Sequence, residues 1–371
     1  MRFSFKNYLS VFSHPAHGSG FYAWLRILSE NRFAFHPFFL PKIFFISCTI
    51  VLSTPFRWYE KVRYRKILSK QKVNAPVFIL GHPRSGTTFL HYLMSKDPAF
   101  AYCNTLQAMV PHLFLSGSWI LRKVMDNVLP SRRPMDNLRM GSGLPKEEEF
   151  AMAAFGAESL VSAYYFPKNY IKTFKKAVVF DERTGLSEQN WKKNFEFLLR
   201  KLSFNQGGKT LLLKSPGNTG RIQQLLKLYP DAKFINICRN PYSVFQSNMH
   251  LYRKLLPLLS FQKINETEVK EFVLEGYEIL MRKYFLDKQL LGKNNLIEIS
   301  YEEFEKKPID CLERIYSELK IGNFSEAKIG MLEELNSYRD FEKNRLTISE
   351  ADKIEVQKRW GFAFEELGYP L

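Results

Sequence analysis

From Gln71 onward, short continuous apolar runs alternate with longer stretches of helical periodicity. Val77-Phe78-Ile79-Leu80 reads as a buried strand, followed by a glycine-rich turn and a helix from about Thr87. Thr210-Leu211-Leu212-Leu213, Lys233-Phe234-Ile235-Asn236-Ile237-Cys238 and Leu296-Ile297-Glu298-Ile299 read as three more strands. Helical periodicity fills 220–229, 241–255 and 266–292. Uninterrupted apolar strands separated by helices predict an α/β fold, with a central parallel sheet flanked by helices and right-handed crossovers. In such sheets, ligands sit at the carboxyl ends of the strands.

The first 70 residues follow a different pattern. Residues 33–56 read FAFHPFFLPKIFFISCTIVLSTPF, and Arg57, Lys61, Arg63, Arg65 and Lys66 follow at once. Only 14 residues separate Lys42 from Arg57, whereas a spanning helix wants about 20 apolar residues. Pro37, Pro41 and Pro55 interrupt the wider segment. Two readings stay open ahead of a full span: an interfacial membrane element beside a polybasic stretch, or a hydrophobic cap packed on the domain. The apolar run begins too late for a cleavable signal peptide, and no small-residue cleavage site follows it. Were the segment to span, the heavier basic cluster on its C-terminal side would keep the main domain cytoplasmic. The expected division is therefore 1–70, hydrophobic and basic, and 71–371, the main domain.

The chain of 371 residues is 45% hydrophobic and 25% charged, as a globular protein is. Lys and Arg number 54 against 37 Asp and Glu, a formal net charge of +17. That excess favours anionic partners: nucleic acid, acidic lipid or a polyanionic small molecule. No zinc-finger spacing, RRM-like aromatic signature or basic coiled coil is present, so nucleic acid is not expected. Cys48, Cys103, Cys238 and Cys311 lie far apart, which reads as free thiols rather than a disulfide framework or zinc site.

Gly81-His82-Pro83-Arg84-Ser85-Gly86-Thr87-Thr88 links the first strand to the first helix. Backbone amides in such a loop cradle phosphate oxygens, and the helix N-terminus adds positive potential. The pattern is nearly a Walker A loop, but Thr87 stands where that motif has lysine, and Arg84 supplies the cation. A kinase or ATPase needs that lysine and usually a carboxylate to hold Mg²⁺. Here the second and third strands end in Lys214 and Arg239. Cations without a metal-holding carboxylate suit an anionic donor bound without metal.

These residues resemble the PAPS-dependent sulfotransferase family, in particular the branch whose loop reads P-R-S-G-T-T. Further blocks carry the resemblance in order: Leu213-Lys214-Ser215-Pro216, then Cys238-Arg239-Asn240-Pro241 with Ser247, then Ser300-Tyr301-Glu302-Glu303-Phe304. The match runs from about Gln71 to the C-terminus and implies that 71–371 is a sulfotransferase domain of P-loop-like three-layer fold. The resemblance implies transfer of a sulfuryl group from 3′-phosphoadenosine 5′-phosphosulfate (PAPS) to a hydroxyl or amine of an acceptor such as a carbohydrate, lipid or small molecule. It implies that Arg239 and Ser247 bind the 3′-phosphate, through a guanidinium fork and a hydroxyl. By the same resemblance, Ser85, Gly86, Thr87 and Thr88 are expected to hold the 5′-phosphosulfate. Arg84 and Lys214 are expected to neutralise charge on the leaving oxygen.

The acceptor proton needs a base. Leu144-Pro145-Lys146-Glu147-Glu148-Glu149-Phe150-Ala151 resembles an acidic block of the same branch. With a helix starting near Pro145, Glu147 shares a face with Phe150 and Ala154 and ranks first, with Glu148 next. His91 and Glu158 are the other candidates. The segment 97–143 is expected to carry acceptor-pocket walls. Tyr164, Tyr165, Phe166 and Pro167 line a pocket or belong to the core, and Lys343-Asn344-Arg345 is a late basic candidate for the nucleotide. Two other functions remain: a P-loop nucleotide kinase or NTPase, and a non-catalytic, membrane-tethered nucleotide-binding protein.

Overall fold

A computed structural model describes residues 14–130, 138–181, 184–338 and 346–371. The chain divides into two compact units. One comprises Val73–Tyr102, Gln206–Met249 and Val273–Leu371; the other comprises Met1–Lys72, Cys103–Asn205 and His250–Phe272.

The first of these holds the sheet. Its strands are β1 (Val77–Leu80), β2 (Phe100–Tyr102), β3 (Thr210–Lys214), β4 (Lys233–Cys238) and β5 (Leu296–Ser300), in the order β2-β3-β1-β4-β5. Every pairing is parallel, and helices flank the sheet in an α/β three-layer arrangement. Four strands match the apolar runs read from the sequence. β2 was not foreseen: it is a three-residue edge strand, too short for a periodic signal. Its exposed edge is answered by a side chain, since Gln206 accepts from Tyr102 N at 3.3 Å and donates to Tyr102 O at 2.9 Å.

Strand parity divides the core. Val77, Ile79, Leu212, Ile235, Ile237, Ile297 and Ile299 pack with Leu90 and Leu93 of the Thr87–Met94 helix and with Leu312 and Ile315. Phe78 and Phe234 point the other way and stack at 5.5 Å. Each such aliphatic side chain, fully buried, contributes about 1.5–3 kcal/mol. The helices read at 220–229, 241–255 and 266–292 are Ile222–Leu228, Pro241–Leu259 and Glu266–Asp287.

The other unit is helical. One helix runs unbroken over Leu40–Lys70, for 31 residues. The sequence reading had the prolines interrupting this segment, and they do not. Pro41 sits in the first turn, where its missing amide costs nothing, and Pro55 lies inside the helix. Just before Pro55, the hydroxyls of Ser53 and Thr54 bond the carbonyls of Thr49 and Ile50, as hydroxyls do in locally strained helices. With its 3₁₀ lead-in, Pro37–Lys70 is long and apolar enough to cross a membrane, by length and composition alone.

Polar anchors fix this helix to its own unit. Lys42 is buried and donates to Leu258 O at 2.6 Å. Arg57 donates to the carbonyls of His17, Gly18 and Ser19. Glu60, 2% exposed, pairs with buried Lys201 and accepts from Leu115 N and Ser116 N. Ile43, Ile46 and Ile50 complete the inward stripe, packed with Trp24, Tyr165 and Phe261. The outward stripe is also apolar, with Phe44 71%, Leu52 73%, Phe56 66% and Trp58 68% exposed. Two apolar faces back to back leave the helix without one polar side over its N-terminal half.

Candidate active site

The loop after β1 is shaped by backbone angles that few residues adopt. Gly81 has φ 138°, Arg84 φ 75° and Gly86 φ 103°. Positive φ at Arg84 and Gly86 turns successive amides toward one side, the geometry of an anion nest. A Cβ on Gly86 would lie 2.4 Å from the Tyr301 ring, and one on Gly81 would lie 2.5 Å from Ile237 O. Gly86 then caps the Thr87–Met94 helix, whose first amides lack intrahelical partners and face the nest.

Neighbouring segments brace the loop. Thr219 Oγ1 accepts from Gly81 N at 2.9 Å and donates to Gly81 O at 3.2 Å. Asn248 donates to Pro83 O at 2.9 Å. Ser85 Oγ donates to His82 O at 2.9 Å, closing the loop on itself. The His82 ring lies 4.8 Å from Tyr277, which stacks on Trp360 at 3.8 Å. Sequence reading missed Thr219, Asn248 and His82. The one local signal was the polar pair Asn218-Thr219 one glycine past the Lys214-Ser215-Pro216 block, a pair that the structure buries.

The strand ends bring the cations to this loop. Lys214, 3% exposed at the end of β3, donates to Thr88 Oγ1 at 3.3 Å. Arg239 follows β4; its guanidinium lies 4.4 Å from the centre of the Tyr301 ring and donates to Arg84 O at 3.2 Å. Arg84 Nε donates to Ser247 Oγ at 2.9 Å. Thus Tyr301, just past β5, rests on Gly86 on one side and carries Arg239 on the other. Asn240 and Pro241 start the Pro241–Leu259 helix as cap and first residue, with Asn240 Oδ1 accepting from Tyr242 N at 3.0 Å. That cap sets the helix in the register that places Ser247 beside Arg84.

The structure gathers Arg84, Ser85, Gly86, Thr87, Thr88, Lys214, Arg239 and Ser247 within one unit. It also gathers two charge groups there: Lys214 with Thr88, and Arg84 with Arg239 and Ser247. Among the described residues, no cluster of three His, Cys, Asp or Glu side chains is arranged to hold a metal ion.

The acidic candidates belong to the other unit. The helix there runs Glu149–Phe155, with Glu148 at its cap, and does not start near Pro145. Pro145 pairs in a β-bridge with Asn104, and Lys146 N bonds Cys103 O at 2.8 Å, so the chain is still extended there. The shared helical face that ranked Glu147 first therefore does not exist. Glu147 is half-buried and lies within electrostatic range of the buried Tyr164 hydroxyl, whose pKa is pushed up by burial first, then Tyr252 and Glu147. Glu148 is 1% exposed. Glu149 accepts from Leu160 N at 2.7 Å. Glu158 is held by Arg26 at 2.7 Å. Tyr165 and Phe166 are core residues, while Tyr164 is half-buried against Tyr252 and Phe272.

His91 lies in the sheet unit, 1% exposed, with its pKa pushed down to about 3 by burial first and Lys214 second. An imidazole that weakly basic is poorly matched to proton abstraction near neutrality. All four cysteines are free. Lys343-Asn344-Arg345 and residues 131–137 lie outside the described residues.

Comparison with known proteins agrees with this arrangement. A model described as the sulfotransferase family matches residues 76–326. Omega-hydroxy-beta-dihydromenaquinone-9 sulfotransferase Stf3 of Mycobacterium bovis is 29% identical over 355 residues, covering 95% of this chain and 90% of the relative; the Mycobacterium tuberculosis protein of that name matches to the same extent. Among solved structures, sulfotransferase STF9 from Mycobacterium avium aligns with TM-score 0.67 and 20% identity, over 93% of this chain and 90% of that one. Sulfotransferase STF1 from Mycobacterium tuberculosis aligns with TM-score 0.66 and 13% identity, over 91% of each.

Proposed function

This chain belongs to the sulfotransferase family, and from that premise we propose that it moves a sulfuryl group from PAPS to a hydroxyl carried by a membrane lipid. The observation that carries the donor assignment is the convergence on one positive-φ loop of Lys214, Arg84, Arg239 and Ser247. In this reading the loop and helix amides, with Thr87 and Thr88, hold the 5′-phosphosulfate. Arg239 and Ser247 hold the 3′-phosphate. Arg84, turned toward Ser247, reaches the same phosphate from the loop side, which leaves Lys214 as the cation on the leaving oxygen. The acceptor oxygen attacks sulfur in line, the bond from sulfur to the bridging oxygen breaks, and 3′-phosphoadenosine 5′-phosphate departs. Lys214 and Arg239 at strand ends and Arg84 in the loop together balance the charge of the donor, so the donor binds without metal.

The acceptor proton goes to Glu147 or Glu148. Both belong to the acidic block whose resemblance assigns it this role, and His91, with its pKa pushed down to about 3 by burial, is poorly matched to it. The lipid acceptor is supported by two observations. The two Stf3 relatives are named as sulfotransferases of omega-hydroxy-beta-dihydromenaquinone-9. The Leu40–Lys70 helix also presents a stripe of Phe44, Val51, Leu52, Phe56, Tyr59 and Val62 to solvent, with Lys61, Arg63, Arg65 and Lys66 following. The anchors Lys42, Arg57 and Glu60 hold that helix along its own unit, so it lies in the interface rather than spanning, on the cytoplasmic side.

Calorimetry with 3′-phosphoadenosine 5′-phosphate in EDTA tests the donor site: tight binding is expected, and loss of binding in EDTA overturns the metal-free reading. Labelled donor offered to hydroxylated isoprenoid lipids in vesicles and to soluble sugars then tests the acceptor, and transfer to sugars alone refutes a lipid substrate. F44S/L52S/F56S should release the protein from vesicles. Deleting 1–70 is not an equivalent test, because it strips Glu60 from buried Lys201.

A further inference from the structure

The sequence Phe166-Pro167-Lys168-Asn169-Tyr170-Ile171-Lys172-Thr173-Phe174-Lys175-Lys176 has no part in the chemistry above. In the structure it lines a cleft of about 460 Å³ with Lys168, Asn169, Ile171, Lys172, Lys175, Lys176 and Asp181. Positions 168, 171, 172, 175 and 176 follow the spacing by which helices normally bury an apolar stripe. Here the stripe is mostly lysine, and the buried face is the opposite one: Tyr170, Thr173, Phe174, Ala177 and Val178. A π-helical turn over Lys175–Val179 ends the segment, a feature frequent at functional sites.

These lysines are not equivalent. Lys176 is 7% exposed and pairs with Glu30 and, at 3.8 Å, with Glu158; it belongs to the fold. Lys168 has only a solvent-exposed pair with Glu268 at 3.3 Å, and such pairs contribute little. Lys172 donates to Glu30 O at 3.1 Å. Lys175 is exposed.

The cleft is fastened to the turn that leads into the apolar helix. Asn169 donates to Asn31 Oδ1 at 2.8 Å, Gln262 donates to Ala34 O at 2.8 Å, and Lys168 N donates to Gln262 Oε1 at 3.0 Å. In that turn Arg32 and Phe33 both have φ 53°. Two consecutive non-glycine residues in the left-handed region are uncommon, and this pair holds a cation and a large apolar ring outward together. Phe33 is 54% exposed, and exposed Phe38, Leu40 and Phe44 continue from it.

We propose that the Lys168–Lys172–Lys175 cleft, helped by Arg32 in the turn fastened to it, binds the phosphate headgroup of an anionic phospholipid while Phe33 enters the acyl boundary. This rests on the interfacial reading of the Leu40–Lys70 helix and adds to it a specific headgroup site. The cations match a phosphate, and the adjoining apolar row matches a bilayer rather than a free anion.

The full chain is floated with vesicles of phosphatidylcholine alone and of phosphatidylcholine with phosphatidylglycerol. Wild type should prefer the anionic vesicles, and K168Q/K172Q/K175Q should lose about 5-fold per lysine, roughly 10²-fold together. Its 3′-phosphoadenosine 5′-phosphate binding should be unchanged, which reports an intact fold. K168R/K172R/K175R should restore the preference. A control variant, K293Q/K306Q/K320Q, removes three exposed lysines of the sheet unit and should lose far less; an equal loss reduces the effect to net charge and overturns the site. Saturable binding of inorganic phosphate with the same lysine dependence would assign the cleft to a free anion and overturn the lipid proposal. Wild type that binds both vesicle types equally refutes the headgroup site alone, whereas wild type that binds neither refutes the interfacial reading beneath it.

Discussion

Gly86→Ala isolates one contact on which the donor loop depends. The added Cβ would lie 2.4 Å from Tyr301 Cδ2, 3.0 Å from Tyr301 Cε2 and 3.1 Å from Ile237 Cδ1, at a backbone with φ 103°. Tyr301 has little room to retreat. Arg239 lies over its ring at 4.4 Å, and the tyrosine opens a helix that Ser300 caps. A non-glycine residue held at a left-handed backbone costs about 1–2 kcal/mol. Overpacking adds about 1–3 kcal/mol. The loss should therefore be about 2–5 kcal/mol, shared between unfolding free energy and donor-site geometry. Urea denaturation and calorimetry with 3′-phosphoadenosine 5′-phosphate measure the two shares. In a Tyr301→Ala background the clash with the ring should vanish while the backbone part and the lesser Ile237 contact persist, giving a coupling of about 1–3 kcal/mol between the positions. A Gly86→Ala protein within about 0.5 kcal/mol of wild type, with unchanged nucleotide affinity, refutes the reasoning. An undiminished penalty in the Tyr301→Ala background removes Tyr301 from it.

Arg239→Ala should weaken nucleotide binding by about 1.5–3 kcal/mol, the value of a hydrogen bond to a charged group; Arg239→Lys keeps the charge but loses the fork and the stack on Tyr301, so calorimetry should recover only part of the affinity. Glu147→Gln should lower turnover roughly 10²–10⁴-fold with nucleotide binding intact, and near-normal turnover alongside a collapse in Glu148→Gln moves the role to Glu148. Burial pushes the pKa of His82, His91 and His112 down to about 3, and that of His14 well below its ordinary value. Unfolded histidines take up protons near pH 6.5 that these refuse, so the stability is complete above that pH and is lost as pH falls toward 3. Between pH 7 and pH 5 His82, His91 and His112 should each remove about 2 kcal/mol, with His14 acting in the same direction, and a flat urea midpoint over that interval contradicts buried neutral imidazoles.

The apolar runs at 77–80, 210–213, 233–238 and 296–299 were legible because a buried parallel strand is hydrophobic on both faces, and that pattern is local. The loop glycines and the cations at strand ends were legible for the same reason: each motif lies within a few residues of a strand whose end it marks. What could not be read depended on partners distant in sequence. Pro55 stays inside a helix because Arg57, Glu60 and Lys42 fasten both sides of it to other segments. The acidic helix starts late because Asn104 holds Pro145 in a bridge. Arg84 turns to Ser247, and Tyr301 stands between Gly86 and Arg239, because the strand order sets β1 beside β4 and β4 beside β5. The amino-acid sequence by itself determined the α/β pattern and the kind of chemistry, since both are carried by residue type and short spacing. Only the tertiary structure decided which cation faces which hydroxyl and which acids are engaged in the fold, because those distances are set by packing between segments that the chain keeps far apart.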